Sequence, residues 1–233
     1  MTALDGRLQA AADFVTPGAF VVDVGADHGY LPVYLVEQGR ALGALATDVN
    51  PQPLASAQEN IAAAGLEGKI RTQLADGLKG VDLNGVTDII VAGMGGMLIA
   101  EILEKRLGEL DGLNLILQPM TQAPYLRRWL WAKGFDILEE TPAEAAGKMY
   151  TVLRARFTGN LRECGELFAH VGKIPDALKV PEKREAAQKY LRLLAGKLDV
   201  IAMGVAQSGR DQEGAERYRR LADAVRNLEE GSK

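Results

Sequence analysis

The stretch VVDVGADHGYLP, residues 21–32, decides the fold. Its apolar start reads as a buried strand and its end opens an apolar helix, a strand–turn–helix unit of an α/β sheet. Asp23 and Gly25 fall at the carboxyl end of that strand, where open α/β sheets bind ligands. Gly25, Ala26 and Gly29 keep the turn free of bulky side chains. The spacing is not the dinucleotide fingerprint, whose glycines open directly onto a helix N-terminus that receives a pyrophosphate. Asp27 and His28 occupy the loop instead. A carboxylate there repels a pyrophosphate but suits a cationic ligand. The plain alternative is a βα turn that binds nothing.

Outward from this unit, short apolar runs alternate with helical patterns as far as residue 157. Strands are expected at 20–25, 42–47, 69–74, 87–92 and 113–117, with two more near 135–141 and 149–157. Helices are expected at 30–38, 51–64, 97–107 and 122–132, and MTALDGRLQAAADF (1–14) reads as an amphipathic helix of the same fold. Near-continuous apolar strands separated by helices imply a mostly parallel sheet covered on both faces. The last two strands lack an intervening helix and are joined by TPAEAAGK (141–148). They therefore form an edge hairpin with an antiparallel terminal strand.

After Phe157 the strand pattern stops. Residues 160–171 read as a short helix, broken at Ile174-Pro175. Residues 182–206 repeat apolar positions at helical spacing (Ala186, Tyr190, Leu193, Leu194, Leu198, Ile201), as do 211–229 (Tyr218, Leu221, Ala222, Val225, Leu228). Joined near Ser208-Gly209, they predict an antiparallel, coiled-coil-like helical hairpin. The expected division is a 1–158 α/β domain and a 159–233 helical domain.

With 233 residues the chain suffices for one α/β domain and a small appendage. Its 47% apolar and 25% charged content is that of a soluble globular protein. No run approaches the ~18 apolar residues of a membrane span, and the N-terminus lacks the flanks of a signal peptide. The single cysteine, Cys164, excludes an intramolecular disulfide and agrees with a cytoplasmic location. His28 and His170, far apart and without a cysteine cluster, argue against a structural zinc site. The net charge of −4 divides into −6 for residues 1–158 and +2 for residues 159–233. That asymmetry suits a nucleic-acid surface on the tail, or simply a solvated helical pair of mixed charge. Oligomeric state is left open, with a monomer as the starting expectation.

Asp48 ends the second strand, where an acid can accept both ribose hydroxyls of a nucleoside. Asp76-Gly77, in ADGL, follows the third strand, where a carboxylate can face an adenine amino group. After the fourth strand comes AGMGG (92–96), whose Gly93 and Gly95 let the backbone approach a ligand; a tight turn before a helix is the alternative. Acids ending three successive strands suit S-adenosylmethionine, which carries a sulfonium and an ammonium. Enzymes that methylate exocyclic amines commonly carry an acid or amide, two prolines and an aromatic after the fourth strand. Their absence points to a ring nitrogen or another acceptor.

These blocks resemble the bacterial tRNA (adenine-N1)-methyltransferases acting on adenine 22. The resemblance runs through LDGRLQAAADF (4–14), VDVGADHGYLP, ADGL, AGMGG, LILQP (115–119), YLRRWL (125–130) and KMYTVL (148–153). It departs at Met120, where the family usually has Asn, and at GKIPDAL in the tail. It implies a class I methyltransferase Rossmann-like sheet with a helical, coiled-coil-like C-terminal domain that docks tRNA. It also implies S-adenosylmethionine held by Asp23, Gly25, His28, Asp48, Asp76, Gly77, Gly93 and Gly95, with no metal. Asp27 becomes the candidate catalytic residue, stabilising charge on the adenine or accepting a proton, with His28 able to orient it. Arg127 and Arg128 are expected on a helix beside the acceptor, meeting phosphate or forming surface salt bridges. Trp129 and Trp131, two positions apart, cannot share a helix face, and neither is assigned to base stacking. A small-molecule or protein methyltransferase and an inactive tRNA-binding relative are the competing expectations.

Overall fold

The computed structural model describes residues 3–209 and 211–230. Residues 1–2, 210 and 231–233, which include the outer ends of the expected first helix and tail, lie outside the described residues. Seven strands form one sheet: β1 (Ala19–Val24), β2 (Ala41–Asp48), β3 (Ile70–Leu74), β4 (Asp88–Gly95), β5 (Asn114–Thr121), β6 (Phe135–Ala145) and β7 (Lys148–Phe157). Their order is β3-β2-β1-β4-β5-β7-β6. β1 to β5 pair in parallel, and β7 runs antiparallel to both its neighbours. The chain winds outward from β1 through β2 to β3, then returns to place β4 on the other side of β1. That reversal opens a crevice at the carboxyl ends of β1 and β4.

Helices α1 (Gly6–Asp13), α2 (Tyr30–Glu37) and α3 (Pro51–Ala63) cover one face, α4 (Gly96–Glu104) and α5 (Ala123–Ala132) the other. The strands supply both layers because successive side chains point to opposite faces. Val22, Ile89, Val91, Leu115 and Leu117 pack towards α4 and α5. Val21, Ile90 and Ile116 pack towards α1 and α2. Asp5 caps α1, its Oδ1 accepting the backbone N–H of Arg7 (2.9 Å) and Leu8 (3.0 Å).

Three strands run past their expected ends. β4 and β5 continue to Gly95 and Thr121 through register shifts around Met94. β6 absorbs most of TPAEAAGK, pairing Thr141–Ala145 with Lys148–Val152. Only Ala146 (φ 49°) and Gly147 (φ 72°) turn the chain, with the two positive φ angles that a tight hairpin requires.

The tail also departs from expectation. Residues 160–165 are not helical, and α6 spans only Glu166–Val171. Pro175 sits in the first turn of a short α7 (Ile174–Ala177), where its missing N–H costs nothing. α8 (Pro181–Ser208) and α9 (Gln212–Glu230) form the helical hairpin. Ion pairs Arg192–Glu229 (2.9 Å) and Arg226–Asp199 bridge them in antiparallel order. The buried face of α8 is Ala187, Leu191, Ala195, Leu198 and Ala202. Leu193 and Ile201, expected on that face, are 46% and 43% exposed.

Arg127 lies inside the protein and not on the helix surface where it was expected. It is fully buried and bonds the equally buried Glu140 of β6 at 2.6 Å, so it cannot meet phosphate. Its Nη1 also donates to the carbonyls of Ala169 (2.6 Å) and His170 (2.9 Å) in α6. Glu140 further accepts from Thr151 Oγ1 (2.5 Å) and the N–H of Lys173 (2.9 Å). Burial opposes the charge on Arg127, but the Glu140 carboxylate outweighs it and holds the guanidinium protonated, above its ordinary value. Trp131 stacks on Phe168 of α6 at 4.1 Å, and Trp129 on Phe135 at 5.8 Å, so both tryptophans are packing residues. Removing one partner of a buried pair leaves an uncompensated charge, at about 3–5 kcal/mol. Arg127→Met should therefore lower the urea midpoint by that equivalent, while exposed Arg128→Met stays within about 0.5 kcal/mol of the parent.

Candidate active site

The crevice between β1 and β4 is a cavity of about 510 Å³ at the carboxyl ends of the first four strands. Asp23, Gly25, Asp27, His28, Asp48, Asp76, Gly77 and Gly93 all line it. Gly95 does not. It caps α4, and a Cβ there would lie 3.3 Å from Thr121 Oγ1, so its small size serves packing against β5.

Asp23 is the most enclosed of the four acids, at 4% exposure. Burial, with the nearby Asp48 adding to it, pushes its carboxyl up to about 7. Asp48 uses Oδ1 to accept the N–H of Asn50 at 2.8 Å, an Asx turn that holds its carboxylate toward the cavity mouth. The N–H groups of Gly25 and Ala26 both donate to the Thr47 carbonyl, at 2.8 and 2.9 Å, which ties the β1 turn to the end of β2. Gly25 has φ 73°, and a Cβ there would fall 2.3 Å from Met94 Cε. The positive φ favours glycine, and a side chain there would also have to displace the end of Met94.

Asp27 adopts φ 49°, a left-handed conformation that aspartate tolerates better than most residues. The turn projects its carboxylate, 69% exposed, out over the cavity. His28 Nε2 stands 3.6 Å from Asp27 Oδ1, beyond hydrogen-bond length, and the His28 carbonyl accepts from Asn60 Nδ2 at 2.9 Å. Asp76 is exposed at the outer wall, 3.9 Å from Lys105.

Residues with no role in the sequence reading complete the site. Gln118, fully buried near the end of β5, accepts the Gly93 N–H at 3.0 Å and Arg7 Nη1 at 3.4 Å. Arg7 Nη1 also approaches Met120 Sδ at 3.1 Å. Arg7 stands in the LDGRL block, but only the fold carries α1 over the carboxyl ends of the strands. Among the lining residues Arg7 is the one guanidinium or ammonium, facing four carboxylates. The cavity is therefore built for a ligand carrying positive charge, hydroxyl groups and a smaller negative group. Among the described residues no cluster of three His, Cys, Asp or Glu side chains could hold a metal ion.

A family model for a methyltransferase domain matches residues 4–153. The Bacillus subtilis tRNA (adenine(22)-N(1))-methyltransferase is 31% identical over 97% of this chain and 96% of its own length. The chain belongs to the tRNA (adenine(22)-N(1))-methyltransferase family. The crystal structure of the Bacillus subtilis enzyme superposes with a TM-score of 0.80 at 29% identity, covering 100% of both chains. The Streptococcus pneumoniae protein Sp1610, in complex with S-adenosyl-L-methionine, gives 0.80 at 33% identity, covering 96% of this chain and 99% of that one. The likeness of this family member to its relatives thus includes the helical tail as well as the sheet.

The Asp23 proton has a consequence for stability. The folded protein holds it more tightly than the unfolded chain, whose carboxyl titrates near 3.8. The fold therefore loses stability as pH rises from about 4 through about 7, by up to about 1.4 kcal/mol per unit. Urea titrations of ligand-free protein across pH 5–7.5 should show this fall, and Asp23→Asn should flatten it. Equal slopes in the two proteins would place the responsible group elsewhere.

Proposed function

We propose that the protein transfers a methyl group from S-adenosylmethionine to N1 of adenine 22 in tRNA, working in the cytoplasm. The end-to-end match to an enzyme named for that reaction carries the reading, and the chemistry of the cavity supports it. Four carboxylates suit a cationic ligand, the Gly25 cradle admits close approach, and Arg7 can meet a carboxylate. Asp48 would bind the ribose hydroxyls, Asp76 the adenine amino group, and Asp23 the positively charged amino-acid end. When bound, S-adenosylmethionine supplies a methyl on a positively charged sulfonium. Adenine N1 takes up that methyl with its in-plane lone pair as the carbon–sulfur bond breaks.

N1 of neutral adenine needs no prior deprotonation, so the protein's main task is positioning, which can supply up to ~7–11 kcal/mol. Asp27 is the residue proposed to act on the charge that arrives on the adenine ring. It lines the cavity on a loop fixed by Asn60, with its carboxylate 69% exposed. Adenine 22 must leave its stack to reach the cavity. The helical tail, with net charge +2 against −6 for residues 1–158, is proposed to hold the displaced RNA.

Labelled methyl from S-adenosylmethionine should enter a tRNA transcript carrying adenine 22 and not one carrying guanine there; equal labelling of both would end this reading. Asp48→Ala should weaken cofactor binding by about 1.5–3 kcal/mol for each hydrogen bond lost, as measured by calorimetry. Asp27→Ala should reduce kcat and kcat/KM together, by ~10²–10⁴-fold, with little change in tRNA affinity. If Asp27→Ala instead loses cofactor affinity but turns over normally at saturation, Asp27 belongs to binding alone.

A further inference from the structure

A second cavity, of about 700 Å³, lies between the β5–α5–β7 edge of the sheet domain and α8. We propose that it seats a nucleotide of the substrate RNA next to the adenine that is methylated, a proposal that rests on the tRNA reading above. Its lining is the reverse of the first cavity's. Among the described residues no carboxylate lines it, although the chain has 31 Asp and Glu. Arg128 and Lys197 stand on opposite walls, both exposed and neither in an ion pair among the described residues. Tyr125, Tyr150 and Tyr190 supply aromatic surface between them. Two cations with flat aromatic rings and no acid match a phosphate joined to a base. Stacking serves any base, and the cations follow the backbone. His170 also lines the cavity, but burial first and Arg128 second push it below its ordinary value, so at neutral pH the positive charge is that of Arg128 and Lys197.

The cavity accounts for two of the exposed apolar residues of α8. Leu193 and Ile201 flank Lys197 at four-residue spacing, off the face that packs on α9, and all three line this cavity. Tyr125, 42% exposed, is left open on the facing wall.

Position ties the two cavities together. Arg7 lines the first and Met120 the second, and their side chains touch at 3.1 Å. The Arg7 guanidinium also lies 5.5 Å from the centroid of the Tyr150 ring. One pair of side chains thus forms the partition. A strand that delivers one base into the first cavity passes its neighbouring nucleotide over that partition into the second. Extruding a base strips its neighbour of a stacking partner, and the tyrosines offer a replacement.

The test uses the full-length protein and a tRNA transcript, with binding followed by fluorescence anisotropy separately from methyl transfer. Arg128→Ala with Lys197→Ala should weaken tRNA binding at least roughly tenfold, and reduce the dependence of log K on log salt by about 1.4 for two lost single-strand phosphate contacts. Tyr125→Ala should weaken binding at least roughly fivefold. Lys79→Ala, which removes an exposed lysine outside the cavity, should do neither. Photo-crosslinking with 4-thiouridine placed beside position 22 should label peptides containing Tyr125, Tyr150 or Tyr190. If the wild type methylates tRNA but the cavity variants keep its affinity and salt slope, the proposal is wrong and the function stands. If the wild type binds tRNA through these residues without methylating it, the functional reading fails and the cavity assignment holds. Crosslinks confined to other surfaces overturn the assignment whatever the affinities.

Discussion

The buried pair between Arg127 and Glu140 is the interaction on which the arrangement of the two halves depends. Arg127 belongs to α5 of the sheet domain, Glu140 to β6, and the remaining donors and acceptors of both reach into α6 and the start of α7. A guanidinium and a carboxylate at 0% exposure are tolerable only when every remaining hydrogen-bonding direction is filled. The Ala169 and His170 carbonyls and the Lys173 N–H of the tail fill them together with the Thr151 hydroxyl of β7, so the tail cannot shift without orphaning part of the pair. Gly172 shows how little room is left: a Cβ there would lie 1.8 Å from Glu140 Oε2. The pair is better understood as setting a unique position than as adding net stability. The orientation of α8 over the β5 edge, and so the existence of the second cavity, follows from it.

The first cavity rests on a different constraint, the reversal of strand order between β1 and β4. It collects the carboxyl ends of four parallel strands, so Asp23 at the end of β1, Asp27 in the loop beyond it, Asp48 at the end of β2 and Asp76 just after β3 become one acidic wall. Burial first, and the neighbouring Asp48 charge second, push the Asp23 carboxyl up to about 7. A cationic ligand offsets the second of these.

How far sequence carried depended on the range of the interaction involved. Strands β1 to β5 were legible because apolar runs and intervening helical spacing are local signals. Their ends were not: Met94, Pro119 and the TPAEA run read as loop residues, yet pairing with neighbouring strands held them in the sheet. That Asp23, Asp48 and Asp76 would share one cavity was legible because each stands at or just after the end of a strand run, whereas Asp27 lies in the loop beyond β1. Gly95 caps α4 outside the cavity lining while Gly93 lines it, a difference that three like glycines in AGMGG do not announce. Arg7 and Gln118 meet across 111 residues, and nothing local announces that. Arg127 and Arg128 look equivalent as a dipeptide, but adjacent helix positions face different directions. One therefore entered the core and the other the second cavity. On α8, counting apolar residues at helical spacing could not say which of two neighbouring stripes would face α9.

Charge in this protein is sorted by cavity more sharply than by domain. The division into −6 and +2 suggested an acidic catalytic half and a weakly basic tail, yet Arg128, which helps make the second cavity basic, belongs to the sheet domain. Four carboxylates with one guanidinium on one side, and two cations with no carboxylate on the other, meet at the contact of Arg7 with Met120. An enzyme joining a cationic methyl donor to a polyanion must keep the two fields apart at close range, because each partner is repelled by the site of the other. Arg7 stands at that boundary with its guanidinium engaged by Asp5 at 2.6 Å. It can therefore lend positive charge to the RNA side without being drawn fully into the acidic cavity. Met120 places a thioether against that guanidinium, with the Gln118 amide 3.7 Å from the same sulfur. The partition is thus set by the packing of Arg7, Gln118 and Met120.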